Sequence, residues 1–471
     1  MGLSFGSSSL HAAFALPTKI RSAPSAFRDL GFDPPPYIDQ VIRQSNHDER
    51  KAVGNTTISI ENESFLINDK LTYSDLDGSN PNAHGLLMNA RFIQGIFDDK
   101  ADPGRFARWG NDIWDPKAHT QGLIDALPEW YGYGLRAFTT GFQGGGPCFT
   151  INNGTIDNNP FSEDGKSLDP AYAERIDSLI WGADALGMAV IVSYFYGAQA
   201  LRLPDGRSIR NAVTTASRFL KDGGYSNVLI EIANEMNIGE FRHHPIIQEP
   251  EGMATLINLA RDESGGMAAG CSGGGGYRKR EVAEASDYIL VHGNGQSRQR
   301  YYNMILEVKS WDQNKPIVCN EDSPAIGNMG VAYKTATSWG YYNNMTKQEP
   351  PADWSVTKGE DTFFAYRMAM GIGIDVPDIP EEDQYYLQGL EPEWSYDGQR
   401  WIRMASLYPE SISYVDFYRD GELFHTSYDE SFAINFQSNW RYGGVDIGDD
   451  RAEWKAVVHL GDGRALEKTA C

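Results

Sequence analysis

Between about residue 86 and residue 375 the chain alternates short apolar runs with longer segments whose apolar residues recur at helical spacing. The runs of strand length are Leu86–Phe97, Gly134–Thr140, Ala189–Phe195, Asn227–Ala233, Met267–Cys271, Tyr288–His292, Pro316–Asn320 and Thr335–Tyr341. The helix-like segments between them include Pro170–Leu186, Ile209–Lys221, Pro250–Arg261, Arg298–Trp311 and Gly359–Met370. Such alternation is typical of repeated β/α units around a parallel sheet. Eight strands over about 290 residues predict an α/β fold with one (β/α)8 TIM barrel at 86–375.

The segments on either side of this region predict smaller β-rich units. Residues 56–72 alternate apolar and polar positions around turn signals at Glu61-Asn62 and Asn68-Asp69, which indicates a β-hairpin. With the Pro- and Ser-rich stretch before it, this predicts an N-terminal arm and β-hairpin cap over 1–85. After an acidic, Pro-spaced linker, Asp-Gly turns between short strands predict a small C-terminal β-sandwich over 384–471. Its predicted strands include Ser413–Arg419, Glu422–Ser427, Phe432–Phe436 and Trp454–His459.

A doubly wound open sheet is the structural alternative to a barrel. Such folds usually carry a Gly-rich dinucleotide-binding turn after a strand. The one candidate, Gly270–Gly276, has neither a P-loop Lys nor the GxGxxG spacing. We therefore interpret this segment as a loop at the rim of the barrel.

The charge and composition narrow the class of partner. There are 41 Lys and Arg against 64 Asp and Glu, a formal net charge of −23, which disfavours nucleic acid or an anionic membrane and favours a neutral substrate. Aromatic residues make up 12% of the chain and there are 49 glycines. This combination is typical of carbohydrate clefts, where flat rings stack on sugars, and equally of any large loop-rich enzyme.

Targeting and redox signals are sparse. The four cysteines form no CxxC pair, and Cys271 and Cys319 lie in apolar runs, which predicts buried thiols rather than a zinc site. No run approaches 18 consecutive apolar residues, so no membrane span is expected. The first residues lack a basic region before their short apolar piece. A secreted or periplasmic location is the hypothesis, with a cytoplasmic location left open.

Two of the predicted strands end in a carboxylate. The fourth, Val228–Ala233, leads directly into Asn234-Glu235, and the seventh leads into Glu321. Barrel enzymes carry their catalytic groups at the carboxyl ends of the strands. A pair of carboxylates held there could divide the roles of general acid and nucleophile that cleavage of a glycosidic bond requires.

This arrangement resembles that of clan A glycoside hydrolases, the superfamily that includes the family 5 cellulases and mannanases. Asn-Glu after strand four and Glu after strand seven carry the resemblance, which extends over the barrel. Family 5 members also have an Arg on strand two, a His ending strand six and a Trp ending strand eight, and Arg136, His292 and Trp339 stand at these positions. The chain departs from the family in having Met236 where Pro is usual and Asn294 where Tyr is usual.

The resemblance implies a role for each matching residue. Glu235 would be the catalytic acid/base and Glu321 the nucleophile of a retaining enzyme, with no cofactor and no metal. The remaining positions would bind substrate or orient the two carboxyl groups: Asn234 on the sugar 2-hydroxyl, Arg136 beside Glu321, His292 with Tyr194 or Tyr196 against the carboxyls, and Trp339 as the floor of the sugar subsite. Asn294 and Asp98 are further candidates for sugar hydroxyls, although the Asp98-Asp99 pair could equally be a solvated loop.

Other functions are weighed against this one. A barrel that binds carbohydrate without cleaving it and a metal-dependent barrel hydrolase are the two rivals. His243-His244 offers no metal-ligand spacing, and Ser272, within a GxSxG pattern, is followed by glycines where a nucleophile elbow needs a helix. Glu231 shares strand parity with Glu235, which predicts a structural carboxylate paired with a cation inside the barrel. The oligomeric state is left open.

Overall fold

A computed structural model describes residues 54–101, 103–104, 114–146, 157–349, 352–391, 395–396, 398–446 and 451–470. The first 53 residues of the predicted N-terminal arm therefore lie outside the described residues.

The described chain opens with a small antiparallel sheet of three strands: β1 Ile58–Glu61, β2 Ser64–Ile67 and β3 Lys70–Leu71. Its two turns fall where the sequence places them, because Asn62, Asn68 and Asp69 adopt the left-handed backbone conformation that tight hairpins require. Phe65 of β2 is fully buried against apolar side chains at the amino ends of the strands that follow. This small sheet therefore covers the amino ends of those strands and not their carboxyl ends.

Eight parallel strands follow in the described residues, alternating with helices. The strands are β4 Asn89–Arg91, β5 Ala137–Gly141, β6 Ala189–Phe195, β7 Val228–Ala233, β8 Ala269–Gly270, β9 Ile289–His292, β10 Ile317–Glu321 and β11 Gly340–Tyr341. Six form one sheet in the order β11-β4-β5-β6-β7-β8, and β9 pairs with β10. Isolated bridges join Val318 to Ser338 and Asp322 to Tyr341, and Asp287 donates its N–H to the carbonyl of Ala269.

Ten α-helices are described, and the longer ones cover the apolar outer faces of these strands. They are α1 Pro116–Gly132, α2 Pro170–Asp184, α3 Gly206–Asp222, α4 Pro245–Gln248, α5 Pro250–Ser264, α6 Arg280–Ala285, α7 Arg298–Lys309, α8 Gly327–Thr335, α9 Asn344–Lys347 and α10 Glu360–Ile372. The first three begin at an Asp whose side chain accepts backbone N–H groups of the first turn. At Asp205 a complete capping box with Ser208 starts α3.

Two of the predicted strands differ from the observed ones. The first was expected over Leu86–Phe97, but only its middle pairs, because the chain turns at Phe92 and again before Phe97. The eighth was expected from Thr335, yet Thr335 ends helix α8 and strand β11 starts at Gly340. In both segments the residues are largely buried in the core although they do not form one continuous strand.

The rest of the described chain is antiparallel. Its strands are β12 Tyr385–Gln388, β13 Ser395–Tyr396, β14 Gln399–Arg400, β15 Arg403–Ser406, β16 Ile412–Arg419, β17 Glu422–Ser427, β18 Phe436–Ser438, β19 Arg441–Tyr442, β20 Val445–Asp446, β21 Trp454–Leu460 and β22 Ala465–Thr469. A four-stranded sheet, β17-β16-β21-β22, shares one apolar cluster with β12, β15 and β20. The predicted strand Phe432–Phe436 is observed only in part: Ala433 forms an isolated antiparallel bridge with Arg403 of β15, and Phe436 begins β18.

Candidate active site

Glu235 and Glu321 come together at the carboxyl ends of the parallel strands. Glu235 is the second residue after β7, and Glu321 is the last residue of β10. A carboxylate oxygen of each and a ring nitrogen of His292, which ends β9, all lie within 4.8 Å of one another. Three strands thus place three titratable side chains in one cluster.

An arginine from the first parallel strand fixes Glu321. Arg91, the last residue of β4, is buried and places Nε 2.5 Å from Glu321 Oε2. Its Nη2 donates to Asn234 Oδ1 at 2.6 Å. On the other carboxylate oxygen, Asn294 Nδ2 donates to Glu321 Oε1 at 2.5 Å. Glu321 is therefore held by a charged pair on one side and an amide on the other.

His292 links the two glutamates. Its Nδ1 lies 3.0 Å from Glu235 Oε1 and 3.7 Å from Glu321 Oε2. Its Nε2 faces Glu231 Oε1 at 4.0 Å, deeper between the strands. Glu231 is fully buried and accepts a hydrogen bond from Asn320 Nδ2 at 3.1 Å. The imidazole consequently has a carboxylate near each of its nitrogens, which favours the charged ring.

The backbone of Glu235 is in an uncommon conformation. Its φ of 58° lies in the left-handed region, which a residue with a side chain seldom adopts outside a turn. Ser272 holds it there, because the Ser272 hydroxyl accepts the N–H of Glu235 at 3.1 Å and the Ser272 carbonyl accepts the N–H of Met236 at 3.1 Å. Backbone strain of this kind often accompanies functional side chains.

Burial and charge shift the pKa values of the cluster in different directions. Burial raises the pKa of Glu321, and the charges of Arg91 and His292 offset this rise only in part. Burial also acts to raise the pKa of Glu235, but the hydrogen bond and charge of His292 outweigh it and bring that pKa below its ordinary value. For His292, burial lowers the pKa, and the two glutamates outweigh it and raise it. Both shifts favour an ionised Glu235 beside a protonated His292.

The predicted role of Arg136 is wrong. Arg136 stands before β5, at the amino ends of the strands, and its Nη1 donates to the carbonyls of Tyr131 and Leu135. Its guanidinium lies over the ring of Tyr131, 3.9 Å from the centroid. Arg91 occupies the place beside Glu321 instead. The sequence does carry a signal for it, since Arg91 is the one charged residue within the apolar run Leu86–Phe97.

Trp339 and Tyr194 also differ from prediction. Both are fully buried in the layer between strands and helices. Trp339 donates its indole N–H to Asp322 Oδ2 at 3.0 Å and packs against Phe364, so no face is open to a sugar. The Tyr194 hydroxyl bonds Ser217, away from the carboxyl groups. Neighbouring residues of a strand face opposite sides of the sheet, and both side chains lie on the side that packs into the main apolar core.

Two further predicted residues lie outside the cluster of glutamates. Tyr196 is half-buried, and its hydroxyl accepts an amide N–H of Gln348 at 3.4 Å. Tyr196 contributes to the raised pKa of Arg91, so it lies on the same side of the strands as the site. Asp98 pairs with Arg175 at 3.6 Å, and burial raises its pKa. Within the described residues, Asp98 forms neither an ion pair nor a hydrogen bond with either glutamate.

The cluster also has a composition that a metal could use. Glu235, His292 and Glu321 each offer one ligand atom within 4.8 Å of the others. The guanidinium of Arg91, 2.5 Å from Glu321 Oε2, opposes this use because it places a fixed positive charge where a divalent cation would bind. His243 and His244 contribute nothing to the cluster, since His244 bonds the carbonyl of Ala200. Cys271 and Cys319 are buried and unpaired, as predicted.

Within the part of the chain that the structure describes, none of the helices has the length and apolar character needed to span a bilayer.

No protein-family model matches this chain, and no curated protein does so either. Solved structures that resemble it include glycoside hydrolases. The Bacteroides uniformis β-glucuronidase has 9% identity and a TM-score of 0.40 over 88% of this chain and 47% of its own. The endo-β-1,4-mannanase of Thermotoga petrophila has 11% identity and a TM-score of 0.42, over 82% of this chain and 96% of its own. The β-mannanase of Mytilus edulis has 10% identity and a TM-score of 0.41, over 67% of this chain and 96% of its own.

The chain spans about half the length of the β-glucuronidase that it matches. Because all of these TM-scores are below 0.5, the likeness carries no argument about activity. The residues that indicate a function are Glu235, His292 and Glu321, at the carboxyl ends of the strands.

Proposed function

We propose that this protein is a retaining glycoside hydrolase acting on a neutral β-linked glycan or glycoside, with Glu321 as nucleophile and Glu235 as acid/base. The observation that carries the proposal is the close approach of the two carboxylates, which have oxygens within 4.8 Å of each other. Retaining glycosidases hold their carboxyl groups about 5–5.5 Å apart, whereas inverting ones need about 6.5–9.5 Å for a water molecule. A secreted or periplasmic location stays a prediction.

The proposal includes the finer architecture. The eight parallel strands would close into a (β/α)8 barrel over 86–375, with 1–85 as arm and cap and 384–471 as a β-sandwich. Bridges from β10 to Ser338 and Tyr341, and the hydrogen bond from Asp287 to Ala269, support closure because they connect the two separate parallel sheets. The apolar cluster shared by β12, β15, β20 and the four-stranded sheet supports the sandwich.

In the first step, Glu321 attacks the anomeric carbon and forms an ester with the sugar, while the bond to the leaving oxygen breaks. Arg91 and Asn294 orient the attacking carboxylate, because each holds one of its oxygens. The positive charge of Arg91 favours the ionised form on which attack depends. Asn294 Oδ1 is buried without a partner among the described residues, so it can accept a hydrogen bond from a hydroxyl group of the sugar.

The leaving oxygen needs a proton from Glu235. In the free protein the pKa directions favour His292 as the holder of that proton, and its Nδ1 lies 3.0 Å from Glu235 Oε1. Transfer along this hydrogen bond loads Glu235 without a proton from solvent. The neutral imidazole then stays beside Glu235 as an acceptor. His292 thus acts as the proton store for the acid.

In the second step water replaces the first product. Glu235, now ionised, removes a proton from the water, whose oxygen attacks the anomeric carbon and releases Glu321. Two inversions at one carbon give overall retention. Asn234, fixed by Arg91, would bond the 2-hydroxyl during both steps.

The direct test is sugar release from a panel of β-linked oligosaccharides and polysaccharides. Wild type should cleave at least one of them, and Glu321→Gln should lose activity almost entirely. Glu235→Gln should keep some activity on substrates whose leaving group needs no proton. Glu251→Gln, an exposed glutamate on α5, is the matched control and should behave as wild type. Cleavage that survives unchanged in Glu321→Gln contradicts the proposal.

A metal-dependent hydrolase is the second candidate, because Glu235, His292 and Glu321 form a possible ligand set. Elemental analysis of the purified protein, with activity measured before and after chelation, separates the two. One equivalent of tightly bound metal together with activity lost on chelation favours the second candidate. If the panel is bound but not cleaved, the protein is a carbohydrate-binding barrel instead.

A further inference from the structure

The segment between β18 and β19 of the C-terminal region reaches the loop that carries Asn294. We refer to residues 436–442, which contain these two strands and their turn, as the C-terminal hairpin. Asn439 in its turn accepts the N–H of Gly295 at 2.6 Å and donates to the carbonyl of Gln296 at 2.9 Å. These bonds fasten the turn to the residues that directly follow Asn294. Since Asn294 bonds Glu321, the hairpin is one loop away from the proposed nucleophile.

The hairpin is held firmly by further contacts with the parallel-strand region. Tyr442 packs in a small buried cluster with Met345, which lies in helix α9 after β11. Asn344 donates to the carbonyl of Trp440 at 3.4 Å. Six residues before the C-terminal hairpin, Glu430 accepts the N–H of Gly327 at 2.9 Å. The turn therefore has a defined place above the loops that follow β9, β10 and β11.

Trp440, at the tip of this turn, is an aromatic residue in a position to meet a sugar. Its side chain is half-buried, and a side-chain carbon at Gly295 would lie 4.0 Å from its Nε1. Asn439, beside it, is buried and fixes the backbone from which the indole projects. Trp339, the tryptophan expected to stack, is enclosed in the core. A half-buried indole on a rigid turn, one loop away from the proposed nucleophile, can stack on the apolar face of a pyranose.

We propose that Trp440 is a sugar-binding residue of the active site, and that the C-terminal hairpin supplies one wall of the substrate cleft. This inference rests on the proposed function for the identity of the substrate, a neutral β-linked oligosaccharide. The C-terminal region is then part of the site rather than a separate module or a packing partner. One wall of the cleft would then come from Trp440, which lies 99 positions after Tyr341, the last residue of the last parallel strand (440 − 341).

The test uses the full chain and three variants. Trp440→Ala removes the ring, Trp440→Phe keeps a stacking surface, and Tyr428→Ala removes a ring that is 68% exposed in the same region and packs on Tyr414. KM and kcat are measured on the oligosaccharide that wild type cleaves, with thermal unfolding as a check on folding. Trp440→Ala should raise KM roughly tenfold with a smaller change in kcat, since an aromatic contact is worth about 0.5–1.5 kcal/mol beyond its buried area. Trp440→Phe should recover most of the affinity, and Tyr428→Ala should match wild type.

Binding is measured in parallel by calorimetry, with cellotetraose, mannotetraose, xylotetraose and β-1,4-galactotetraose as probes. If wild type cleaves a substrate and Trp440→Ala has the KM of Tyr428→Ala, the inference fails while the proposed function stands. If wild type binds a probe without cleaving it and Trp440→Ala abolishes binding, the proposed function fails while the inference stands. If wild type neither binds nor cleaves any of them, both are overturned. A KM effect that Trp440→Phe does not rescue, with a lowered unfolding temperature, assigns Trp440 a structural role and also overturns the inference.

Discussion

Arg91 and Glu321, the last residues of the first and seventh parallel strands, form a buried ion pair with 2.5 Å between Nε and Oε2. The pair joins two strands that are 230 positions apart in sequence (321 − 91) and fixes one oxygen of the proposed nucleophile. A buried charge without its partner is costly, so each residue constrains the other. The geometry of the site therefore depends on this contact more than on any other single one.

Replacing Arg91 should damage activity and stability together. In Arg91→Met, Glu321 loses its positive partner, and its pKa, already raised by burial, rises further. We expect kcat to fall by roughly 10²–10³, and the free energy of unfolding to drop by about 3–5 kcal/mol. Steady-state kinetics and urea denaturation measure both.

Arg136→Met is the matched control for Arg91, because Arg136 is also buried but lies at the opposite ends of the strands. This variant should lose stability while its kcat stays close to that of wild type. A larger loss of kcat in Arg136→Met than in Arg91→Met contradicts the assignment of Arg91.

The pH profile should reflect the raised pKa of Glu321. The nucleophile is active when ionised, so kcat/KM falls as the pH drops through that pKa. Because burial holds the pKa of Glu321 above its ordinary 4.5, the midpoint of the acid limb should lie above 4.5. The basic limb should lie above 6.5, since the glutamates raise the pKa of His292, which stores the proton. An acid limb at or below 4.5 argues against Glu321 as the group that must ionise.

Trp339→Phe should affect folding and spare substrate binding. The indole N–H that donates to Asp322 is lost, and the buried acceptor is left with fewer partners. The free energy of unfolding should fall by about 1–3 kcal/mol, while KM stays at the wild-type value. A several-fold rise in KM at unchanged stability restores Trp339 as a stacking residue.

Ser272→Ala tests how the backbone of Glu235 is held. The variant loses the acceptor for the Glu235 N–H, so kcat should fall, but by no more than about tenfold for one neutral hydrogen bond. Ser264→Ala removes a similar acceptor for the N–H of Met267, at the end of helix α5, and should leave kcat unchanged. A loss of about 10⁶ in Ser272→Ala, typical of a removed nucleophile, would falsify the two-glutamate mechanism in favour of serine chemistry.

The sequence predicts the parallel-strand region well, because short apolar runs and long helical segments alternate regularly there. It also predicts that Glu235 and Glu321 meet, since both follow apolar strands and parallel strands end at one edge. The errors at Trp339 and Tyr194 have a different source. Successive residues of a strand face opposite sides of the sheet, so an error of one position reverses whether a side chain is expected inside the ring of strands or toward the helices.

The local pattern marks Arg91 as a charge within an apolar run, but it specifies neither the partner of that charge nor the contact of the C-terminal hairpin. The run around Arg91 is apolar on both sides, so it gives no indication of which strand end the guanidinium faces. The contact of Asn439 with Gly295 joins segments 144 positions apart, and nothing in the alternation of polar and apolar residues specifies such a pairing.

The covalent intermediate on Glu321 is the most direct test of the central claim. Wild-type protein is incubated with an activated 2-deoxy-2-fluoro β-glycoside of the sugar that it releases, and the mass of the intact protein and of its peptides is measured. The mechanism predicts one sugar bound per chain, on the peptide that contains Glu321, and no adduct in Glu321→Gln. An adduct on another residue, or steady turnover of the natural substrate with inversion at the anomeric carbon, contradicts it.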